Sequence, residues 1–238
     1  MHLVRPTLVL MAASGITAGA AGPVLAQPPL PRLPALPRPI LTGIGMPLPA
    51  GALNLAASAA MAPGLTTTRF ILDAGLTSKL GLEVTAPYVG LGTNGAYLSE
   101  FGADVQLGIV GRPAGNGISA ILGLHVPGSA AGLSIGSMQP LVGLRGQAQV
   151  GPFLGLANVG WFPGLNQTEI RAAGLWQVLP VLAPGLELGL VGGPVQLASL
   201  TPEINVRPVP NLGVGLGYEI PIAGSATGQV VAQAQFLF

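Results

Sequence analysis

Between Arg69 and Phe238 the chain carries fourteen Asp, Glu, Lys and Arg residues, and their spacing constrains the fold more tightly than any motif does. When the segments are read as strands and each stronger apolar stripe is turned to one side, every charge falls on the opposite parity. The fourteen are Arg69, Asp73, Lys79, Glu83, Glu100, Asp104, Arg112, Arg145, Glu169, Arg171, Glu187, Glu203, Arg207 and Glu219. A soluble sheet also alternates, because successive side chains of a strand point to opposite faces, but seldom so strictly over a whole chain. A charge on the lipid face of a membrane barrel costs about 2–4 kcal/mol at mid-bilayer, and that penalty accounts for the strictness.

The aromatic residues agree. Phe70, Tyr88, Phe101, Phe153, Trp161, Trp176, Tyr218, Phe236 and Phe238 all take the outward parity and fall near strand ends, as two interfacial girdles require. The chain ends in Gln229-Val-Val-Ala-Gln-Ala-Gln-Phe-Leu-Phe238, with Phe238, Phe236, Ala234, Ala232 and Val230 on one face. Its length suits the ~9–11 residues of a membrane β-strand. A last strand closing on an aromatic is similar to the signature by which bacterial outer-membrane barrels are recognised for assembly. Phe238 is therefore the expected contact with that machinery.

Composition excludes several alternatives. Half of the residues are hydrophobic, 7% are charged and cysteine is absent. Disulfides, thiolate metal sites and cysteine nucleophiles are thus ruled out. The charge-free runs Pro39–Thr68 and Pro113–Leu144 are broken repeatedly by Gly and Pro, and Ala50–Ala62, the most helix-like piece, is too short to span. In lipid only helices and closed sheets satisfy every backbone group, so a barrel is the expected membrane solution. Net charge near zero gives no reason to expect a nucleic-acid partner.

Three regions follow. Residues 1–26 read as a cleaved secretory signal, with His2 and Arg5 before an apolar stretch and Val24-Leu25-Ala26 as a small-x-small site. Residues 27–49 are Pro-rich and read as polyproline II, either as a semi-rigid periplasmic spacer or as a plug carrying Arg32 and Arg38 into the barrel mouth. Residues 50–238 form the expected barrel, all-β, antiparallel, an up-and-down meander of about twelve transmembrane strands. The strands are expected near 51–61, 67–76, 79–88, 101–112, 117–126, 138–149, 152–162, 167–178, 184–192, 198–208, 211–220 and 228–238. An even number places both termini on the periplasmic side. Pro87, Pro140 and Pro202 are expected towards the outer rim, where a lost ladder bond costs least.

Two motifs match by spacing alone. Gly90-Leu-Gly92-Thr-Asn-Gly95 has the dinucleotide-binding spacing, but a turn follows where the pyrophosphate would need a helix N-terminus. Gly132-Leu-Ser134-Ile-Gly136 has the nucleophile-elbow spacing, with His125 nine residues before Ser134, yet an elbow needs a strand-to-helix turn. His125 reads as a wetted lumen residue, and an enzyme is not expected. One histidine after position 26 and no cysteine also argue against a transition-metal site. No cofactor is expected.

The lumen charges remain. Asp73, Glu83 and Asp104 fall on three consecutive strands, while Arg145 and Arg171 fall on strands six and eight, towards another wall. These five are the candidates for a constriction. They either set up a transverse field or pair and fill the lumen. Six basic and eight acidic side chains leave the barrel at net −2, so an open pore should lean weakly towards cations. Gly81, Gly102, Gly108, Gly123, Gly143, Gly189, Gly213, Gly215 and Gly217, at lumen parity, leave space rather than filling it.

The stretches Leu80-Gly-Leu-Glu-Val-Thr-Ala-Pro-Tyr88, Phe101-Gly-Ala-Asp-Val-Gln-Leu-Gly108, Ile121-Leu-Gly-Leu-His-Val-Pro-Gly128 and Asn211-Leu-Gly-Val-Gly-Leu-Gly-Tyr218 carry a further likeness. Over about residues 70–238 the chain resembles the outer-membrane transporter family named after the meta-pathway of phenol degradation. That resemblance implies a channel for small, often aromatic or hydrophobic compounds and supplies no catalytic residues. The very low charge and the Pro-rich tract depart from it. The expected function is passive passage of small solutes across the bacterial outer membrane, with membrane lipid and the solute as partners. The alternative is a non-conducting envelope protein with a closed lumen.

Overall fold

The computed structural model describes residues 42, 44–86, 89–92, 95–98, 101–113, 115–126, 137–194, 196–224 and 227–238. All of them belong to one compact unit, residues 32–238. The signal region, Tyr88, Glu100 and Ser134 lie outside the described residues.

Fourteen strand segments run in order. They are β1 (Leu53–Ala62), β2 (Leu65–Gly75), β3 (Leu80–Ala86), β4 (Val89–Gly92), β5 (Gly95–Leu98), β6 (Phe101–Gly111), β7 (Gly117–Val126) and β8 (Gln139–Val150). Then come β9 (Phe153–Phe162), β10 (Gln167–Trp176), β11 (Leu182–Gly192), β12 (Leu197–Val209), β13 (Leu212–Ala223) and β14 (Gln229–Leu237). β3 and β4 both pair with β2, β4 pairs with β5 and β3 with β6, so β3 with β4 and β5 with β6 make two long spans that meet in the β4–β5 hairpin. The barrel therefore has twelve antiparallel spans in meander order.

Closure comes from β1, which pairs with β2 on one side and with β14 on the other, from Asn54↔Leu237 to Met61↔Val230. Leu53 and Phe238 exchange both backbone bonds at this seam, N–H to O at 3.2 and 2.8 Å. Among the described residues this pairing shuts the ring, so neither β1 nor β14 presents an open edge to lipid. The helix-like composition of Ala50–Ala62 yields to this pairing, and the chain there is a strand.

Side chains follow the pleat. Outward residues include Leu122 at 62% exposure, Leu216 at 58% and Leu144 at 52%, while Asp73, Glu83, Asp104, Arg145, Glu187 and Glu203 are buried inside. Arg69, Glu169, Arg171, Arg207 and Glu219 are half-buried on the same inward parity. Lys79 and Arg112 differ from expectation: they lie in the turns after β2 and β6 and are exposed. In the first of these turns Thr77 Oγ1 accepts from the amides of Lys79 and Leu80 at 3.2 and 3.0 Å, which caps the connection locally.

Four of the described aromatic residues meet in pairs at one rim. Phe153 and Trp176 stack at 5.7 Å near the rim that carries Phe238, and Phe236 and Phe238 meet at 4.8 Å at that same rim. Phe101 and Trp161 lie towards the other rim and Phe70 and Tyr218 in mid-strand, with Phe70, Trp161 and Tyr218 exposed. Residues 89–92 and 95–98, expected within a loop, continue the sheet as the β4–β5 hairpin, and no helix follows the glycines. Pro202 is also displaced from expectation, sitting mid-strand in β12 on the lipid side rather than at a rim. The β12–β13 ladder skips its position, between Leu200↔Ile220 and Glu203↔Gly217, because proline has no N–H to give.

Outward parity at mid-span carries an energetic consequence. Leu122→Arg is expected to destabilise the barrel by about 2–4 kcal/mol, measured by urea unfolding in lipid vesicles. A Leu122→Arg protein as stable as the parent would contradict lipid exposure at this position.

Candidate functional site: the barrel lumen and its strap

Residues 42 and 44–49 lie inside the barrel. Thr42, Gly45, Met46, Pro47, Leu48 and Pro49 are buried, and each end of this strap is held by a different wall. At its start Thr42 Oγ1 donates to Glu187 Oε2 on β11 at 2.7 Å. In the middle Gln106 Nε2 on β6 donates to the Ile44 carbonyl at 3.1 Å, and Ser119 Oγ on β7 donates to the Gly45 carbonyl at 2.9 Å. At its exit Gly51 N–H bonds the Gly75 carbonyl at 2.8 Å, where β1 is about to begin. The strap thus crosses the lumen from β11 to β2.

Glycines make the seat. A side chain at Gly45 would stand 2.5 Å from Cβ of Gln147 and 2.6 Å from the Gly146 carbonyl oxygen. A Cβ at Gly75 would run into the Pro49 carbonyl, and one at Gly117 would come within 2.7 Å of Met46 Sδ. A Cβ at Gly81 would stand a tight 3.3 Å from Cβ of Pro47, and one at Gly108 would stand 3.4 Å from Cε of Met46. The space that Gly81 and Gly108 leave at the inner wall is therefore taken by backbone from another part of the chain. A small cavity remains between strap and wall, lined by Ile44, Met46, Leu48, Asp73, Glu83 and Gln106 among others.

Above the strap lies a row of three carboxylates. Asp73 is directly opposite Glu83, and Glu83 directly opposite Asp104, on adjacent strands. Like charges so placed repel. Arg145, on β8, reaches back over β7 to join them: Nη1 donates to Glu83 Oε2 at 2.8 Å and Nη2 to Asp104 Oδ2 at 3.2 Å. Gly123, opposite Asp104 on β7, leaves the room this carboxylate needs. Asp104 Oδ1 also meets His125 Nε2 at 2.7 Å, and the imidazole packs edge-on against Phe162 at 5.7 Å. Asn54 Nδ2 donates to Asp73 Oδ2 at 2.8 Å.

Two sequence readings change here. Arg145 does not face the carboxylates from another wall. It is bonded to two of them, because an arginine is long enough to cross one glycine-bearing strand. His125 is not wetted but buried at 6% exposure, in a bond to Asp104. Its inward position also removes it from the lipid-facing wall on which a lipase-like pair with Ser134 would have to work. Arg171 lies in the row Arg145↔Asn158↔Arg171↔Gly189, half-buried, and makes no ion pair among the described residues.

The opposite wall differs in character. Leu154, Leu156, Ala173, Leu175 and Ala183 form an inward apolar cluster on β9 to β11, and Ile121, Leu141 and Phe162 form another across β7 to β9. On β12, Thr201, Glu203 and Asn205 stand in line at 1%, 4% and 2% exposure. Thr42, Gln106, Ser119 and the β12 line were not among the sequence candidates. The clustering of lumen glycines at one end of β3, β6 and β7 was the available signal for a segment lying there. Among the described residues no group of three or more potential ligands could hold a metal ion.

A closed twelve-span barrel with an apolar outer belt, aromatic rims and a polar interior defines the class of outer-membrane β-barrels. Among the described residues no helix is long and apolar enough to cross a membrane. No protein-family model matches the chain, and no curated protein matches it. Among solved structures the chain is similar to the KdgM porin, at 14% identity over 78% of this chain and 99% of that one, with a TM-score of 0.57. It is similar to the NanC porin at 6% identity, over 78% and 98%, with a TM-score of 0.57. An outer membrane channel from Pseudomonas putida F1 gives 15% identity, 82% and 98% coverage, and a TM-score of 0.58. At these identities the likeness establishes a shared barrel fold.

The ion triad yields a sharp expectation. Arg145→Met leaves buried carboxylates uncompensated and should cost about 3–5 kcal/mol, whereas adding Glu83→Gln and Asp104→Asn to it should recover most of the loss. Urea unfolding of the refolded variants measures both. Additive losses across the three changes would contradict the coupling.

Proposed function

We propose that the protein is an outer-membrane channel for passive passage of small solutes, narrowed by its own strap. One observation carries the reading. A non-strand segment, residues 44–49, occupies part of the lumen and is seated on glycines of the wall. A barrel built only as a structural rod would fill its interior with side chains, as small barrels do. Glycine at the wall instead keeps a passage that a separate segment occupies.

In this reading Asp73, Glu83 and Asp104, with Arg145 among them and Arg171 further round the wall, line the constriction. The net charge of the barrel leans passage weakly towards cations. The inward apolar clusters on β7 to β11 support hydrophobic or aromatic solutes, as does the resemblance of residues 70–238 to the meta-pathway transporter family. Export by a signal cleaved after Ala26 and assembly through Phe238 complete the reading. The position of Phe238 at the β1–β14 seam supports the latter.

A second reading, a non-conducting envelope protein, is favoured by the strap's crossing of the lumen and by the pairing of Arg145. Planar-bilayer conductance separates the two. Refolded residues 27–238 are expected to give small openings with a weakly cation-selective reversal potential under a salt gradient. Removal of residues 27–49 should enlarge them several-fold, and Asp104→Asn should erase the selectivity. A heat-modifiable, folded barrel that stays silent with and without residues 27–49 would establish the non-conducting reading.

A further inference from the structure

We propose that Arg171 and Ser199, on either side of Gly189, form a binding station for the carboxylate of a small monoanionic solute. The inference rests on the channel reading and names a solute class for it. It starts from a contrast within one row of the wall. Arg145, Asn158, Arg171, Gly189 and Ser199 stand side by side on β8 to β12. Arg145 is committed to Glu83 and Asp104. Arg171, two strands further along, is half-buried on the inward parity and makes no hydrogen bond or ion pair among the described residues.

Glycine brings two donors together. A Cβ at Gly189 would stand 2.9 Å from Ser199 Oγ and 3.6 Å from Arg171 Nη1. The guanidinium therefore lies over Gly189, towards the hydroxyl, and no side chain of residue 189 separates them. An arginine presents its N–H donors as a planar fork that matches a carboxylate with two parallel bonds. A serine hydroxyl beside it can donate a third. Ser199 is half-buried and likewise holds no bond among the described residues.

The neighbouring acids set the charge of the ligand. Glu169 lies two residues before Arg171 on the same face, about 7 Å along the strand, and accepts from Gln167 Nε2 at 3.0 Å. Glu187 lies two residues before Gly189, and its Oε2 accepts from Thr42 at 2.7 Å. Both stand close enough to repel a second negative charge. One guanidinium and one hydroxyl between two carboxylates thus suit a solute with a single negative charge and oppose a dianion. The same acids keep the hold weak, as a channel requires, since binding must be favourable enough to admit a solute and weak enough to release it. The station offsets, at one place, the weak cation preference of the lumen as a whole.

Saturation-transfer NMR on the refolded protein tests this, with butyrate as the probe and butyramide as its uncharged counterpart. The buffer holds about 0.15 M chloride to screen unspecific attraction. Butyrate is expected to give a signal about fivefold above that of butyramide, and Arg171→Gln should reduce it to the butyramide level. Ser199→Ala should lower it by about half, and Arg171→Lys, which keeps the charge and loses the fork, should fall between parent and Arg171→Gln. Arg69→Gln removes another inward cation and should leave the signal unchanged. A butyrate signal that survives Arg171→Gln, that equals the butyramide signal, or that falls as far in Arg69→Gln would overturn the proposal. Heat-modifiability on a gel reports that each variant is folded, and Ser199→Ala, which removes a single oxygen, tests the station should Arg171→Gln not fold. No current is read, so a failure here is separate from a failure of the channel reading.

Discussion

Every backbone amide and carbonyl at membrane depth must find its partner within the protein, and the seam between β1 and β14 is where this chain meets that demand. Leu53 and Phe238 bond each other across it, and the ladder runs on to Met61↔Val230. Without the seam two strands would present open edges to lipid, where each unmet group costs several kcal/mol. Once the ring is shut, the period of two does the rest. Each span must turn apolar side chains to the lipid, and the charged side chains within the spans go in.

Inside, no lipid penalty applies, and a different problem takes its place. A carboxylate row running Asp73, Glu83, Asp104 is costly unless a cation joins it, and Arg145 does so through a fork that bonds two of the three. Such a cluster is weak evidence for stability in its own right, since burying the charges offsets much of their attraction. What it fixes is position. With Asp104 committed to Arg145 and His125, and Asp73 held by Asn54, the wall from β1 to β8 presents one arrangement of groups. The strap rests against that same wall.

The span count and inward parity were legible in the sequence because lipid imposes them residue by residue. Ten of the twelve alternating segments were placed with their ends within a few residues of those observed, and the third and fourth fall short because the β4–β5 hairpin extends them. Pro202 was misplaced because a proline can also sit mid-strand where its missing bond falls between ladder partners. The inner geometry was less legible. Asp73, Glu83 and Asp104 could be assigned to consecutive strands, but the arginine that joins them depends on side-chain length across β7, which parity does not encode. The strap was open in the sequence as one of two readings of the Pro-rich tract. Its contacts, Thr42 with Glu187 and Gly45 with Ser119, link positions whose proximity no local pattern reports.

Those contacts also set an order in time. Thr42 and Glu187 are 145 positions apart, and Gly45 and Ser119 are 74 apart. The strap leaves the ribosome before any strand does, yet its anchor on β11 exists only after most of the meander has formed. Its seat on β2, β3, β6, β7 and β8 likewise needs five spans already aligned. The strap can therefore complete its hydrogen bond to Glu187 only once β11 is in place, 145 positions later in the chain.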